Sequence, residues 1–256
     1  MAAGNVEGLP QAQPHHLIRV VLAWLVLSII GIIIVLVGMP HLLPTAASDT
    51  TKFANLTVVV FTAVAVPVAF FVWVFLGYSL MHYRTDGRPT EDGPRLQPTN
   101  LTQIAWLGIT GALCLFCLVW GLLGIYEQTS AAPGNPLTVD VTAQQWTFTY
   151  SYPASGVQSH TLVLPTNRAI RFRVHSTDVL HGFAIDQLGV RLDANPGIVL
   201  TTPYVTISRP GNYDTRCVEF CGLYHSYMYT PVKVVSAKNF NAWITQQGGH
   251  LSGGNA

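Results

Sequence analysis

Three long apolar stretches constrain this chain more than any other feature of its sequence. They cover residues 20–39, 56–81 and 104–126, and none of them contains a charged side chain. A helix of about 20 apolar residues is long enough to cross a bilayer. Charged residues make up only 10% of the chain, whereas soluble proteins carry about 25%. The sequence therefore predicts a membrane anchor over residues 1–127 that contains two or three transmembrane helices.

The distribution of basic residues predicts the orientation of these spans. Arg19 precedes the first stretch, and the loop 83–100 contains Arg84, Arg88 and Arg95, whereas the loop after the first stretch has a single Lys. Basic loops stay on the cytoplasmic side. We therefore expect a multi-pass protein of the inner or plasma membrane, with its C-terminal region on the periplasmic side.

The sequence leaves the fate of the first apolar stretch open. Thr45-Ala46-Ala47 would serve as a signal-peptidase site, so the stretch is either a cleaved signal peptide or a retained anchor. Its apolar core is longer than the roughly 7–15 residues usual for a signal peptide. Either outcome leaves the C-terminal region outside the cytoplasm.

The C-terminal half has the pattern of a small all-β domain. Short runs rich in Val, Thr, Ile and aromatic residues alternate with Pro, Gly, Asn and Asp, at a spacing typical of a sandwich or barrel. The predicted strands are residues 137–142, 145–152, 159–164, 169–175, 203–208 and 231–235, and a short helix is predicted at 239–247. The predicted domain covers residues 128–248, followed by a flexible tail at 249–256.

A cluster of soft metal donors lies within this β-region. Cys217, Cys221, His225 and Met228 fall within one short segment. Thiolate, imidazole and thioether ligands suit copper, whereas magnesium and calcium prefer oxygen. Two thiolates could bridge two copper ions if a second imidazole came from elsewhere, and His181, expected in a loop, is the candidate.

Two other interpretations of the cysteines stay open at this stage. Outside the cytoplasm two nearby thiols often form a disulfide, and the metal-free protein is predicted to form one between Cys217 and Cys221. Zinc accepts thiolates and imidazole but not a Met ligand, so Met228 favours copper. Cys114 and Cys117 lie in the third apolar stretch, and we interpret them as packing residues.

The cluster resembles the Cys-x-Glu-x-Cys-x-x-x-His-x-x-Met signature of cytochrome c oxidase subunit II. The resemblance extends to residues 145–146, 178–183, 192–197 and 208–211. It implies membrane helices followed by a cupredoxin-like β-barrel with a dinuclear copper centre, CuA. It also implies ligand roles for the residues of the signature: Cys217 and Cys221 as bridging thiolates, His181 and His225 as imidazole ligands, Met228 as a thioether ligand, and Glu219 through its backbone carbonyl.

Two further roles follow from the same resemblance. The carboxylate of Glu219 would face a magnesium ion at the boundary with subunit I. Trp146 would accept electrons from the donor, although an aromatic residue in a strand can also serve packing alone.

The implied function is that of the electron-accepting subunit of a terminal respiratory oxidase, which passes electrons to the haem of subunit I for the reduction of oxygen to water. The apolar stretches contain no His that could hold haem iron, so the oxygen chemistry is expected in that partner. The alternatives are a membrane-tethered copper carrier without an oxidase partner and a structural subunit II like that of quinol oxidases. A net charge of +1 without a basic run gives no indication of nucleic-acid binding.

Two departures from the family pattern matter for function. Gln103 stands where a glutamate near a Trp often provides a proton path, and an amide cannot deliver a proton at accessible pH. From residue 128 onward there are six Asp/Glu and eight Lys/Arg, so an acidic docking face for a basic cytochrome is not expected. We expect a weakly charged or acidic c-type cytochrome, or a copper protein, that docks through apolar contacts.

Overall fold

The computed structural model describes residues 14–82, 99–129 and 134–250. Within these ranges lie four α-helices: α1 Pro14–Leu42, α2 Asp49–His82, α3 Asn100–Thr129 and α4 Ala237–Gln246. The strands are β1 Leu137–Gln144, β2 Thr147–Tyr152, β3 Val157–Ser159, β4 Leu162–Pro165, β5 Ala169–Ser176, β6 His181–Ile185, β7 Val190–Ala194, β8 Leu200–Thr201, β9 Val205–Thr206, β10 Gly211–Cys217 and β11 Tyr229–Val235. The loop with Arg84, Arg88 and Arg95 lies outside the described residues, as do residues 251–256.

The first three helices are each long and apolar enough to cross a membrane. Each contains one predicted apolar stretch, and each extends beyond it because polar flanking residues continue the helix. Pro67 lies inside α2 without ending it. The prediction of a membrane-anchored chain with apolar N-terminal helices is therefore confirmed.

The described residues form two compact units. One contains α1 and most of α2, and its helices fit together at specific positions. The Trp24 indole N–H donates to the Pro67 carbonyl at 2.7 Å. A Cβ added at Gly31 would lie 2.6 Å from the Phe70 ring, so the missing side chain lets α2 approach closely. Small residues commonly permit such contacts between membrane helices.

The second unit contains the start of α2, α3 and the β-domain. The β-domain consists of two sheets. The first has the order β3-β2-β1-β5-β8, with β9 also paired to β5, and the second has the order β4-β11-β10-β6-β7. The pairs β1–β5 and β4–β11 are parallel, and the other neighbours are antiparallel. The predicted all-β architecture is thus confirmed.

The core of the β-domain is formed by alternate residues of the strands. In β1 and β2 every second side chain is buried, which is the pattern of strands with one face on the core. Phe183 of β6 contacts Phe148 and Phe172, with ring centroids 5.7 and 5.3 Å apart. The aromatic centre joins both sheets into a stiff frame beside the ends of β6 and β10.

Several predicted strands differ from the observed ones. Residues 159–164 form two strands rather than one, because the chain crosses from the first sheet at β3 to the second at β4. Strand β2 begins at Thr147, since Gln145 and Trp146 form a turn. Strand β10 has few buried side chains, so it lacks the apolar alternation that a prediction needs. Its pairing with β11 and β6 is what makes it a strand.

The predicted C-terminal helix is observed as α4. Ser236 caps it, because its side-chain oxygen accepts a hydrogen bond from the Asn239 N–H at 3.3 Å. Such a cap satisfies one of the free N–H groups at a helix start. Phe240 and Ile244 are buried against the β-domain.

Candidate metal centre

The ends of three neighbouring strands bring the candidate ligands together. His181 is the first residue of β6, Cys217 is the last of β10, and Met228 directly precedes β11. The expectation that His181 lies in a loop is wrong, because it begins a central strand and is fully buried. The Cys217 N–H donates to the Met228 carbonyl at 3.0 Å. Strand pairing thus fixes three donors at one end of the second sheet.

Two glycines allow residues 217–228, which we call the ligand loop, to fold tightly. Gly222 has φ = 112°, a conformation that favours glycine. A Cβ added at Gly182 would lie 2.7 Å from Val218 Cγ2 and 2.9 Å from the Glu219 N atom. The loop backbone therefore packs directly onto β6, and this contact brings Cys217 beside His181.

The donor atoms converge around the two sulfurs. Cys217 Sγ lies 3.6 Å from Cys221 Sγ, 3.2 Å from the Glu219 carbonyl oxygen and 3.9 Å from His181 Nδ1. A disulfide bond has a length of about 2.05 Å, and both cysteines are free. The Cys217, Cys221 and His181 ligand atoms all lie within 4.8 Å of one another. This cluster could bind a metal ion.

The remaining candidate ligands surround Cys221. Its Sγ lies 3.6 Å from His225 Nδ1 and 3.7 Å from Met228 Sδ. Met228 is buried and His225 is half-buried. The structure therefore brings every predicted ligand to one place. The set of two thiols, two imidazoles, a thioether and a carbonyl fits copper better than a hard cation.

Asp178 orients the His181 ring. The Nε2 atom of His181 lies 2.8 Å from Asp178 Oδ1. Burial raises the pKa of the Asp178 carboxyl, but hydrogen bonds from His181, from the Gln145 and Val179 N–H groups and from the Ser176 hydroxyl outweigh it and lower the pKa to about 2. Because the carboxylate is ionised, Nε2 carries the proton and Nδ1 presents its lone pair to the cluster. Metal-binding histidines are commonly held in this way.

The Cys221 thiol is protonated when it binds no metal. Burial, followed by its hydrogen bond with Cys217 and the negative charge of neighbouring groups, raises its pKa to about 12. Thiolates are the metal-binding form. Metal binding at this site therefore releases a proton.

Trp146 lies directly against the ligand loop. Its indole N–H donates to the Cys221 carbonyl at 3.3 Å, and the Gln145 side-chain amide donates to the same oxygen at 2.8 Å. The ring also makes an edge-on contact with Tyr224, with centroids 4.8 Å apart. The half-buried Trp146 is thus joined to a candidate metal ligand through one hydrogen bond.

Sequence reasoning assigned no role to Asp178 and Gln145, although both lie in segments that carry the resemblance. A further signal for Asp178 was its position three residues before His181. Gln145 acts on Cys221, which lies 76 residues further along the chain. Cys114 and Cys117 are exposed on α3 and free, and they take no part in the cluster.

The comparisons with known proteins match the part of the chain that carries the site. Residues 156–236 match the family described as "Cytochrome C oxidase subunit II, periplasmic domain". This range contains all six candidate ligands. Over its β-domain the chain is thus similar to cytochrome c oxidase subunit II. The resemblance to this family that the signature indicated is therefore confirmed, and the ligand roles stay predictions.

Curated relatives of this chain carry the same family name. A "Probable cytochrome c oxidase subunit 2" of Rickettsia prowazekii is 27% identical over 214 residues, which are 75% of this chain and 66% of the relative. The "Cytochrome c oxidase subunit 2" of Choristoneura rosaceana is 46% identical over 83 residues, 32% of this chain and 36% of that protein. The chain thus spans just under two thirds of the length of the Rickettsia relative.

A solved structure also matches part of this chain. The periplasmic domain of subunit II of cytochrome oxidase from Bradyrhizobium japonicum is 28% identical, with a TM-score of 0.43. The match covers 47% of this chain and 96% of that one.

Proposed function

We propose that this chain is the electron-accepting subunit II of a terminal oxidase in a bacterial-type inner or plasma membrane. The observation that supports it most is the convergence of two thiols, two imidazoles and a thioether around a 3.6 Å pair of sulfurs. Such donors select copper. The three apolar helices would anchor the chain, with the β-domain on the periplasmic side.

The site residues would hold a dinuclear copper centre. Cys217 and Cys221 would bridge the ions, His181 and His225 would each bind one, and Met228 and the Glu219 carbonyl would complete the two coordination spheres. Bound copper would supply one-electron transfer. The protein's part is to hold the ligands still, and the strand pairing at Cys217 and the Asp178–His181 hydrogen bond both serve this purpose.

Trp146 would take electrons from the donor. Its N–H bond to the Cys221 carbonyl supplies a short connection from the half-buried ring to a bridging thiolate. The Glu219 carboxylate would face a magnesium ion at the boundary with a haem-bearing subunit I. Oxygen would be reduced to water in that subunit.

The surface around the site supports a donor that docks through apolar contacts. All exposed large hydrophobic side chains in the described β-domain lie in the loops 178–180 and 198–199 and in the ligand loop, apart from Tyr229, the first residue of β11: Val179, Leu180, Ile198, Val199, Phe220, Leu223, Tyr224, Tyr227 and Tyr229. Phe220 and Leu223 are 77% and 79% exposed. The only carboxylates in these loops are Asp178, which accepts hydrogen bonds from His181 and Gln145, and the half-buried Glu219.

We call these nine side chains the apolar rim. With so little charge at the rim, electrostatic steering would be weak. The proposed donor is a weakly charged or acidic c-type cytochrome, or a copper protein. Electron-transfer rates with such a donor should change little between low and high salt. A steep decrease with salt when a strongly basic cytochrome is the best donor would contradict this part of the proposal.

Metal analysis tests the proposal itself. The full chain, purified in detergent and reconstituted with copper, should bind about two copper ions and show the absorption of a thiolate-bridged pair. No bound copper would indicate a structural subunit like that of quinol oxidases. Bound copper without a co-purifying haem subunit from native membranes would indicate a membrane-tethered carrier.

A further inference from the structure

A short segment ahead of α2 is built into the β-domain. Residues 44–55 belong to the same compact unit as the β-domain. Ala47 and Ser48 are both 0% exposed, and Thr51 is 2% exposed. Ala47 is part of the hydrophobic core cluster together with strand residues of both sheets. We call residues 47–51 the docked segment.

Backbone hydrogen bonds fix the docked segment. The Ala47 N–H donates to the Gln187 carbonyl at 3.0 Å, and the Ala47 carbonyl accepts from the Ser208 N–H at 2.9 Å. Ser48 pairs with Ile207 in an antiparallel bridge. The peptide groups on both sides of Ala47 are thus used by the β-domain.

Side chains of the docked segment satisfy carbonyls of the β-domain. The Ser48 hydroxyl donates to the Leu188 carbonyl at 2.7 Å. The Thr51 hydroxyl donates to the Gln187 carbonyl at 2.9 Å. Buried carbonyls need such partners, so the turn at residues 186–189 depends on this segment for its hydrogen bonds.

Gly189 shows how closely the docked segment fits. Its φ is 65°, and a Cβ added there would lie 2.9 Å from the Thr51 N atom and 3.0 Å from Thr51 Oγ1. The Asp49 carboxylate also accepts from the Thr206 N–H at 3.0 Å. The first turn of α2 therefore lies directly on the β-domain.

This geometry predicts what cleavage at the signal-peptidase site identified in the sequence would do to the β-domain. Cleavage after Thr45-Ala46-Ala47 would remove Ala47 from the core together with its three backbone hydrogen bonds, to Gln187, Ser208 and Arg209. It would also leave an ammonium group on Ser48, whose residue is 0% exposed. Burying an unpaired charge is costly. We propose that the Ala47–Ser48 bond stays intact in the folded subunit and that α1 is a permanent third membrane-spanning helix.

The contacts of α1 support the same conclusion independently. Trp24 donates to the Pro67 carbonyl at 2.7 Å and meets the Phe71 ring edge-on. Gly31 provides the space for the Phe70 ring. A leader that is removed needs no such fit to the next helix, whereas a permanent helix in lipid depends on it.

Intact mass and N-terminal sequencing of the full chain test the proposal. The chain is expressed in a bacterial host with active signal peptidase and purified from the membrane. The matched variant is Thr45→Gln, which replaces the small residue at the site at an exposed position. Both proteins should retain residues 14–47. A wild-type chain that begins at Ser48 while Thr45→Gln keeps α1 would overturn the proposal, and so would any mature wild-type chain without α1.

A second measurement tests the docking itself. Gly189→Ala should lower the melting temperature of the β-domain by several degrees more than Gly156→Ala. Both glycines have positive φ, but nothing lies within 4 Å of a Cβ at Gly156, so the difference isolates the contact with Thr51. Equal effects of the two substitutions would show that the segment is not docked. Neither measurement depends on copper or on oxidase activity.

Discussion

Two segments contribute buried polar or sulfur-bearing residues to the β-domain, and they differ in how those groups are satisfied. In the docked segment, residues 47–51, the buried backbone and hydroxyl groups bond to carbonyls and N–H groups of the chain itself. In the ligand loop, residues 217–228, two buried thiols, an imidazole and a thioether face one another. The buried polar groups of the docked segment are satisfied by hydrogen bonds within the chain. The donor atoms of the ligand loop are arranged to bind a metal ion.

This difference separates a structural role from a binding role. Buried polar groups that are fully hydrogen-bonded stabilise one fold. Soft donors that converge without strong hydrogen bonds of their own gain most when a metal ion replaces their weak mutual contacts. Changes at the ligand loop should therefore affect copper and redox chemistry, and changes at the docked segment should affect stability alone.

The largest expected effect comes from the ligand-loop cysteines. Cys217→Ser or Cys221→Ser should abolish the spectrum of a dinuclear copper centre, because a hydroxyl does not replace a bridging thiolate. The double variant Cys114→Ser and Cys117→Ser is the matched control, since these cysteines lie on α3 away from the site. Absorption spectroscopy and copper counting make the measurement. An unchanged spectrum in Cys217→Ser would contradict the metal-binding role of the ligand loop.

The second largest effect is expected from copper removal, which should change the contribution of the ligand loop to the melting temperature but not that of the docked segment. A ligand that binds only the folded state stabilises it by about 4 kcal/mol at a thousandfold excess over Kd. Chelation should thus lower the melting temperature of the wild-type chain substantially. It should leave that of Cys217→Ser almost unchanged, because this variant has no centre to lose. The decrease caused by Gly189→Ala should be the same with and without copper, since distant sites add. Strong coupling between them would show that the docked segment also serves the metal site.

Trp146→Ala should slow electron acceptance by about tenfold or more, which corresponds to about 1.4 kcal/mol in the barrier. The copper spectrum should remain nearly the same, because Trp146 supplies no metal ligand. Trp243→Ala is the control: this ring packs on Tyr152 and should affect stability without slowing the transfer. Stopped-flow reduction gives the rates. Loss of copper in Trp146→Ala would make this residue structural.

The smallest effect is expected for Met228→Leu. The two side chains are similar in volume, so stability should change by less than about 1.5 kcal/mol. Copper should stay bound, and the reduction potential should rise because the oxidised centre loses a sulfur donor. A redox titration measures the shift. A variant without copper would show that the thioether is required for assembly rather than for tuning.

Much of the fold could be predicted because its signals are local. The apolar stretches predicted α1–α3, and short runs rich in Val, Thr, Ile and aromatic residues predicted β1, β2, β5 and β11. The pattern failed at β10, whose exposed polar residues hide a strand that pairs on both sides. It failed at His181 too, because all five residues of β6 are buried and the strand therefore shows no alternation of apolar and polar side chains.

The ligand set shows a similar division. Spacing alone grouped Cys217, Cys221, His225 and Met228, since they lie within one loop. Sequence reasoning added His181 as the candidate for the missing imidazole, and the resemblance supported it. The roles of Asp178 and Gln145 were not predicted. Asp178 bonds to His181 only three residues away, but the spacing does not show that the two side chains face each other, and Gln145 bonds to Cys221, 76 residues away.

By itself the sequence determined the membrane helices, the β-character of the second half and the chemical identity of the metal donors, because apolar length, alternation and residue type are properties of neighbouring residues. Only the tertiary structure decided that His181 is buried beside Cys217, that Asp178 fixes its tautomer and that residues 47–51 belong to the β-domain. These facts depend on strand pairing and on close approach at Gly182 and Gly189, which join parts of the chain that no local pattern connects.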